Sequence, residues 1–118
     1  MAEFELKNRA FRFSVSILKF FGSISLNSEL RFLKIQLYRS ATSIGANIIE
    51  GSAGSSKKQL AQYYSIALRS ANETIYWLKL IYEVYIDIDR KQMSELINEC
   101  ESIVRILGKL VSTLRSNS

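Results

Sequence analysis

The segment from Glu29 to Ser56, ELRFLKIQLYRSATSIGANIIEGSAGSS, constrains the fold of this chain more than any other. Its apolar residues recur at helical spacing from Leu30 to Ile48, and several small residues lie among them. The pattern ends at Gly51, where a Gly/Ser loop begins. Such a helix is stable when its apolar stripe is buried against other helices. The chain has no proline and only five glycines, which favours long helices and predicts an all-α fold.

The same periodicity predicts four helices in one domain of 118 residues, at roughly 6–25, 28–50, 56–86 and 90–115. Expected N-caps are Asn27 or Ser28 for the second helix, Ser56 with Gln59 for the third and Asp89 for the fourth. Short connections between amphipathic helices predict an antiparallel up-down-up-down bundle. The expected core rows of the first and last helices are Leu6, Ala10, Phe13, Ile17, Phe20, Ile24 and Met93, Ile97, Cys100, Val104, Leu107, Val111, Leu114.

The composition argues against catalysis, a metal or a cofactor. There is no histidine, and the only cysteine, Cys100, lies on an apolar stripe without a base. Glu50 and Glu73 allow two interpretations: a carboxylate pair for acid/base work or a divalent cation, or members of a structural polar cluster. The second interpretation predicts interhelical hydrogen bonds and ion pairs among Arg39, Asn47, Glu50, Arg69 and Glu73.

The net charge of +5 and several clusters of basic residues suit a partner that carries phosphates. The alternative is that these residues form solvated helix faces and keep the protein soluble. The first interpretation predicts RNA or DNA backbone contacts at Arg9, Arg12, Lys19, Arg31, Lys34, Lys57 and Lys58.

The third helix carries more apolar surface than one core needs, since Ile66, Trp77, Leu80 and Val84 flank its main stripe. This excess predicts a homo-oligomer, with a wide monomer core as the alternative. The same surface would also suit a protein partner. The expected interface residues are Tyr76, Trp77, Tyr82 and Tyr85.

Two further expectations concern location and packing. The apolar segments are interrupted by charges, for example Lys79 and Glu83, so neither an export signal nor a membrane span is expected. A single cysteine suits a reducing cytoplasm. Gly45 inside the second helix indicates either close approach of another helix or a small-residue ligand groove.

One set of residues in the second and third helices forms a recognisable pattern. It consists of Gln36-Leu37, Arg39, Ser43-Ile44, Ala46-Asn47-Ile48, Glu50-Gly51, Tyr64, Ala67 to Ser70, Glu73 and Leu78. In these residues the chain resembles the four-helix-bundle proteins encoded in intervening sequences of bacterial 23S ribosomal RNA genes. The resemblance implies a cytoplasmic bacterial bundle that assembles as a homopentameric ring. A related branch, the accessory proteins of diversity-generating retroelements, binds nucleic acid and a reverse transcriptase.

Overall fold

A computed structural model describes residues 3–54 and 56–116, and this part of the chain folds into helices without a strand. Every predicted helix is present, which confirms the all-α prediction. The four helices are α1 (Glu3–Gly22), α2 (Arg31–Gly51), α3 (Lys57–Val84) and α4 (Arg90–Ser116). None of these helices is long and apolar enough to cross a membrane.

Each helix packs against its neighbours in the chain, and α4 closes the bundle by packing against α1. Within the described residues, the diagonal pairs α1/α3 and α2/α4 bring no Cα atoms within 8 Å of each other. The seams of α3 with α2 and α4 are the most extensive, and the α1/α4 seam is the least extensive. The resulting rod measures 47 × 22 × 20 Å, as the predicted up-down-up-down bundle requires.

The core follows the predicted rows, except that Phe20, Ile24, Ile97, Val104 and Leu114 are half-buried. In α1, Phe21 is fully buried, whereas Phe20 is half-buried and packs edge-on against the Phe21 ring. In α4, Leu96 and Ile103 are buried in place of Ile97 and Val104. The apolar face of α4 is wider than one row of side chains. The row that contains Leu96 and Ile103 lies nearest the bundle axis and is therefore the buried one. Ile97 and Val104 remain half-buried beside α3.

Small residues allow α2 to pack closely against α1 and α3. A Cβ atom at Gly45 would lie 3.6 Å from the Cβ of Ala10 and 3.7 Å from its carbonyl carbon, so α1 passes directly over this glycine. Gly45 is therefore explained by close helix packing. The α2/α3 seam also holds buried hydroxyls: Thr74 donates to Ser40 over 2.9 Å, and Ser43 and Ser70 are hydrogen-bonded at 2.9 Å.

Two of the three predicted caps are present. The Ser56 hydroxyl accepts the N–H of Gln59 and the Gln59 side chain accepts the N–H of Ser56, which forms the predicted capping box of α3. Asp89 accepts the N–H of Gln92 at the start of α4. The prediction for α2 was wrong, because this helix begins only at Arg31. Asn27 instead accepts the N–H of Leu30 in the preceding turn.

The glycines of α2 give opposite expectations for alanine substitution. In Gly45→Ala the new methyl group makes ordinary van der Waals contact with Ala10, so the free energy of unfolding should rise by up to about 1 kcal/mol from helix propensity. In Gly51→Ala the Cβ would lie 2.8 Å from the Cβ of Tyr63, so the free energy of unfolding should fall by about 1–3 kcal/mol. Urea denaturation at one protein concentration measures the free energy of unfolding of both variants. A destabilised Gly45→Ala protein would contradict this account.

One polar contact spans the sparse α1/α4 seam. The Arg9 guanidinium donates to both carboxylate oxygens of Glu99, over 2.7 and 2.8 Å, and to the hydroxyl of Ser102 over 2.7 Å. The hydrogen bond to Glu99 raises the pKa of Arg9. The two side chains are 24% and 35% exposed, so solvent screens the pair only in part.

A double-mutant cycle with Arg9→Gln and Glu99→Gln should give a coupling free energy of about 0.5–1 kcal/mol, the upper part of the range for exposed pairs. The two-bond geometry is the reason for expecting the upper part. Urea denaturation of the four proteins provides the measurement. Additive effects of the two substitutions would mean that this contact does not hold α1 to α4.

Candidate nucleic-acid interface

The seven predicted phosphate contacts do not form one patch. Arg9, Arg12 and Lys19 line one side of α1, whereas Lys57 and Lys58 lie at the start of α3. Arg31 and Lys34 begin α2, whose 21 residues separate them from the α3 start by about 30 Å along the bundle. The basic residues therefore occupy three separate places.

The α1 cations line a groove of about 680 Å³ between α1 and α4. Its deepest side chains are the apolar Phe13, Phe20 and Leu96, while Glu95 and Glu99 of α4 also line it. Arg9 is already engaged by Glu99. The groove therefore carries both signs of charge, and its carboxylates would oppose a phosphate backbone. Within the described residues, Arg12 and Lys19 form no ion pair.

At the start of α2, one cation has a structural contact. The Lys34 ammonium donates to the carbonyl oxygen of Ile24 over 2.9 Å and lies 6.0 Å from the centre of the Tyr38 ring. Burial raises the pKa of Tyr38. Lys34 thus ties the α1–α2 connection to α2, whereas Arg31 is exposed.

The α3 start forms a second, smaller pocket, the α3/α4 end pocket, with a volume of about 340 Å³. It lies between the first turns of α3 and the last turn of α4, and none of its described lining residues carries a carboxylate. Sequence reasoning missed the contribution of Arg115, because its proximity to α3 follows only from the antiparallel packing of α3 and α4. The lining residues are Lys57, Lys58, Ala61, Gln62, Leu114 and Arg115.

The four predicted interface aromatics divide into two groups. Tyr76 is 60% exposed and stacks edge-on against Trp77 with ring centres 5.1 Å apart. The indole N–H of Trp77 donates to Glu73 over 3.0 Å. Tyr82 is half-buried, and the Arg90 guanidinium lies 3.7 Å from its ring centre. Tyr85 packs against the core with its hydroxyl buried and without a hydrogen-bond partner.

A larger apolar surface, missed by sequence reasoning, lies on the outer side of α1 and α2. We call it the α1–α2 apolar face and define it by Phe11, Leu18, Ile35 and Ile49, which are 43–63% exposed. Ser14 donates to the carbonyl oxygen of Ala41, and both Phe11 and Leu18 lie one turn from Ser14, on the side toward α2. Phe11 and Leu18 are seven residues apart and Ile35 and Ile49 are fourteen apart, and these spacings are visible in the sequence. The face stayed unnoticed because each helix also has a stronger core row.

The predicted polar cluster does not form across helices. Arg39 donates to Gln36, and Asn47 donates to the carbonyl and hydroxyl of Ser43, so these bonds stay within α2. Glu73 is bonded within α3 by Trp77, and Glu50 and Arg69 are exposed. The polar links between α2 and α3 are instead the hydroxyl pairs Ser40–Thr74 and Ser43–Ser70.

The thiol of Cys100 is unsuited to nucleophilic chemistry. It is fully buried, and its S–H donates to the carbonyl oxygen of Ala71 over 3.3 Å. Burial and the nearby Glu101 and Glu99 raise its pKa to about 12, so it stays protonated at neutral pH. Across residues 3–54 and 56–116, no group of cysteine, aspartate and glutamate side chains is placed to hold a metal ion.

Comparison with known proteins gives one family. A family model described as 23S rRNA-intervening sequence protein matches residues 2–109. The chain is 32% identical to a protein of unknown function from the S23 ribosomal protein family of Bacteroides thetaiotaomicron, whose crystal structure superimposes with a TM-score of 0.82. That match covers 95% of this chain and 99% of the other. No curated protein matches the sequence. The chain therefore belongs to the 23S rRNA-intervening sequence protein family.

Proposed function

We propose that this protein is a non-enzymatic, oligomeric helical bundle of the cytoplasm that binds the phosphate backbone of RNA or DNA. The observation that carries the proposal is that five of the seven predicted phosphate contacts are exposed and form no ion pair within the described residues, on a chain of net charge +5. These five are Arg12, Lys19, Arg31, Lys57 and Lys58.

The cations favour nucleic acid because they are distributed over a long rod. A rod of 47 Å with basic side chains near both ends can contact several phosphates of one strand. Arg9 is excluded from this set because Glu99 holds it, and Lys34 contributes charge but has a structural bond. The contacts would be to backbone phosphates, which gives affinity with little sequence preference.

Self-association is supported by the α1–α2 apolar face. Phe11, at 63% exposure, and Ile35, at 54%, are large side chains that a monomer leaves in water. A second copy of the chain would cover them. Family resemblance favours a ring of five copies.

The absence of an enzymatic role is supported by the chemistry of individual residues. Cys100 is buried with a raised pKa, and Glu73 is engaged by Trp77. Ser40 pairs with Thr74 across two helices, where position 40 lies level with position 74. Glu50, ten residues further along α2, is thus about 15 Å from the level of Glu73, too far for a carboxylate pair.

The full-length protein should bind labelled single-stranded RNA, and its affinity should fall steeply between about 50 and 200 mM salt. Release of counterions from the phosphates is the physical reason. Fluorescence anisotropy at both salt concentrations provides the measurement, with single- and double-stranded DNA as parallel probes. Absence of binding to all three probes at the lower salt concentration would refute the nucleic-acid part of the proposal.

Wild-type protein should sediment as an oligomer of the 13.5 kDa chain, and Phe11→Glu with Ile35→Glu should convert it to monomers that keep their helicity. The two carboxylates would be buried against a second copy. Ile86→Glu is a matched control, because Ile86 is 75% exposed in the α3–α4 connection. Analytical ultracentrifugation measures the oligomeric state of each protein, and circular dichroism measures its helicity. Monomeric wild-type protein would refute assembly.

A second candidate function is an adaptor that docks a protein partner on α3. The exposed Tyr76 ring favours it, because Trp77 and its bond to Glu73 hold that ring in place. Tyr76→Glu in the same sedimentation experiment tests whether this surface is free for such a partner. Dissociation of Tyr76→Glu oligomers, with intact Phe11→Glu/Ile35→Glu oligomers, would assign α3 to self-association and would contradict the adaptor.

A further inference from the structure

The two sides of the groove between α1 and α4, the α1/α4 groove, differ in chemistry. Its α1 side carries a line of hydrogen-bond donors at helical spacings of four and three residues, namely Arg12, Ser16 and Lys19. All three are exposed, and within the described residues their side chains form no hydrogen bond or ion pair. The α4 side presents the exposed carboxylate of Glu95, which has no such partner in the same part of the chain. The groove therefore has a donor side and an acceptor side.

The Arg9–Glu99 ion pair fixes the level of these groups along the groove. Because α1 and α4 are antiparallel, positions after Arg9 in α1 lie opposite positions before Glu99 in α4. At a rise of about 1.5 Å per residue, Arg12 and Lys19 lie about 5 and 15 Å from the level of the pair, and Glu95 lies about 6 Å from it in the same direction. Glu95 therefore faces the interval between the two cations from the other side of the groove.

The floor of the groove offers an aromatic ring but little further apolar surface. Phe13 is 2% exposed and Leu96 is 8% exposed, so a docked protein helix would bury little additional apolar area there. Phe20 is half-buried and lines the groove next to Lys19. An aromatic ring in such a position can stack on a nucleobase of any kind. The floor therefore suits a base better than the apolar face of a protein helix.

The arrangement of charge distinguishes a single strand from a duplex. A duplex carries phosphates on both of its strands and keeps the pairing edges of its bases engaged, so phosphates would also meet Glu95. A single strand has phosphates along one edge and unpaired bases along the other. Its phosphates can lie beside Arg12 and Lys19 while the carboxylate opposite accepts from a base amino group. The mixed charge of the groove thus matches the asymmetry of one strand.

We propose that the α1/α4 groove binds single-stranded nucleic acid, with the phosphates along α1 and with Glu95 of α4 accepting a hydrogen bond from a base amino group. This inference rests on the proposed function and assigns it a site, an orientation and a modest base preference. Arg12 and Lys19 are about 10 Å apart along α1, the axial length of about three stacked nucleotides. Cytosine offers an amino group to a carboxylate, whereas uracil has a carbonyl oxygen at the same place. The groove should therefore prefer cytosine to uracil.

Neutral variants of the two cations test the phosphate side. The groove variant is Arg12→Gln/Lys19→Gln, and the matched control is Arg105→Gln/Lys109→Gln, which removes two exposed cations of α4 outside the groove. At low salt the groove variant should bind a labelled oligocytidylate about tenfold more weakly than wild type, while the control stays within about twofold. The slope of log K against log salt should decrease by about 1.4, since each phosphate contact to a single strand contributes about 0.7. Circular dichroism melting checks that both variants are folded.

Glu95→Ala tests the base side, because simple repulsion predicts a different result. A carboxylate that only repelled phosphates would, on removal, strengthen binding to every strand equally. Under the proposal, wild type binds oligocytidylate about fivefold more tightly than oligouridylate at neutral pH, and Glu95→Ala reduces this preference to within about twofold. Glu83→Ala is the matched control, because it removes an exposed carboxylate of α3 and should leave the preference unchanged. Fluorescence anisotropy measures all of these affinities.

The outcomes separate failure of the site from failure of the proposed function. Wild-type protein that binds no strand at low salt would overturn both. Equal weakening in the groove variant and its control, or equal strengthening of both homopolymers by Glu95→Ala, would overturn the groove and leave the proposed function standing. Tighter binding of double-stranded than of single-stranded RNA would have the same meaning. Displacement of oligocytidylate by polyglutamate as readily as by unlabelled oligocytidylate would overturn the proposal and assign the groove to an acidic protein segment.

Discussion

The close approach of α1 to α2 at Ala10 and Gly45 determines how the other helices are arranged. Because only the methyl group of Ala10 lies between the two backbones there, α1 comes close to α2 and packs less extensively on α4. The sparse α1/α4 seam then opens as the groove above Phe13 and Leu96. Arg9 and Glu99 join the two helices where apolar packing is thin. The same shift leaves the outer apolar residues of α1 and α2 in water.

Positive charge serves different purposes at different places in this bundle. Arg9 is held by a carboxylate and a hydroxyl of α4, so its charge contributes to packing. Lys34 performs a similar task through the carbonyl of Ile24. Lys57 and Lys58 line a pocket together with Arg115, and no hydrogen bond or ion pair holds either lysine within the described residues. A count of basic residues in the sequence therefore overestimates the number available to a phosphate, and their neighbours decide which ones remain.

Local periodicity was enough to predict the helices but not their lateral contacts. Spacings of three and four residues place Leu37, Ile44 and Ile48 in the core, and the capping box of α3 depends on two residues three apart. Whether Ile97 or Leu96 is buried depends on which side of α4 faces the bundle axis, and the pattern of a single helix does not determine that side. The pairing of Arg9 with Glu99, and the pocket that Arg115 completes, depend on helices distant in sequence. Those features required the three-dimensional arrangement.

The apolar face and the exposed cations proposed for self-association and for phosphate binding occupy different parts of the rod, and this separation has a physical consequence. The α1–α2 apolar face lies along one side, whereas Lys57 and Lys58 begin α3. Association through that face would leave these two lysines open to solvent in every copy. Several weak phosphate contacts held in one assembly raise the effective concentration of the strand at each contact, so avidity exceeds the affinity of a single copy. A chain with a modest net charge of +5 would then gain its affinity for a long strand from repetition of the same cations.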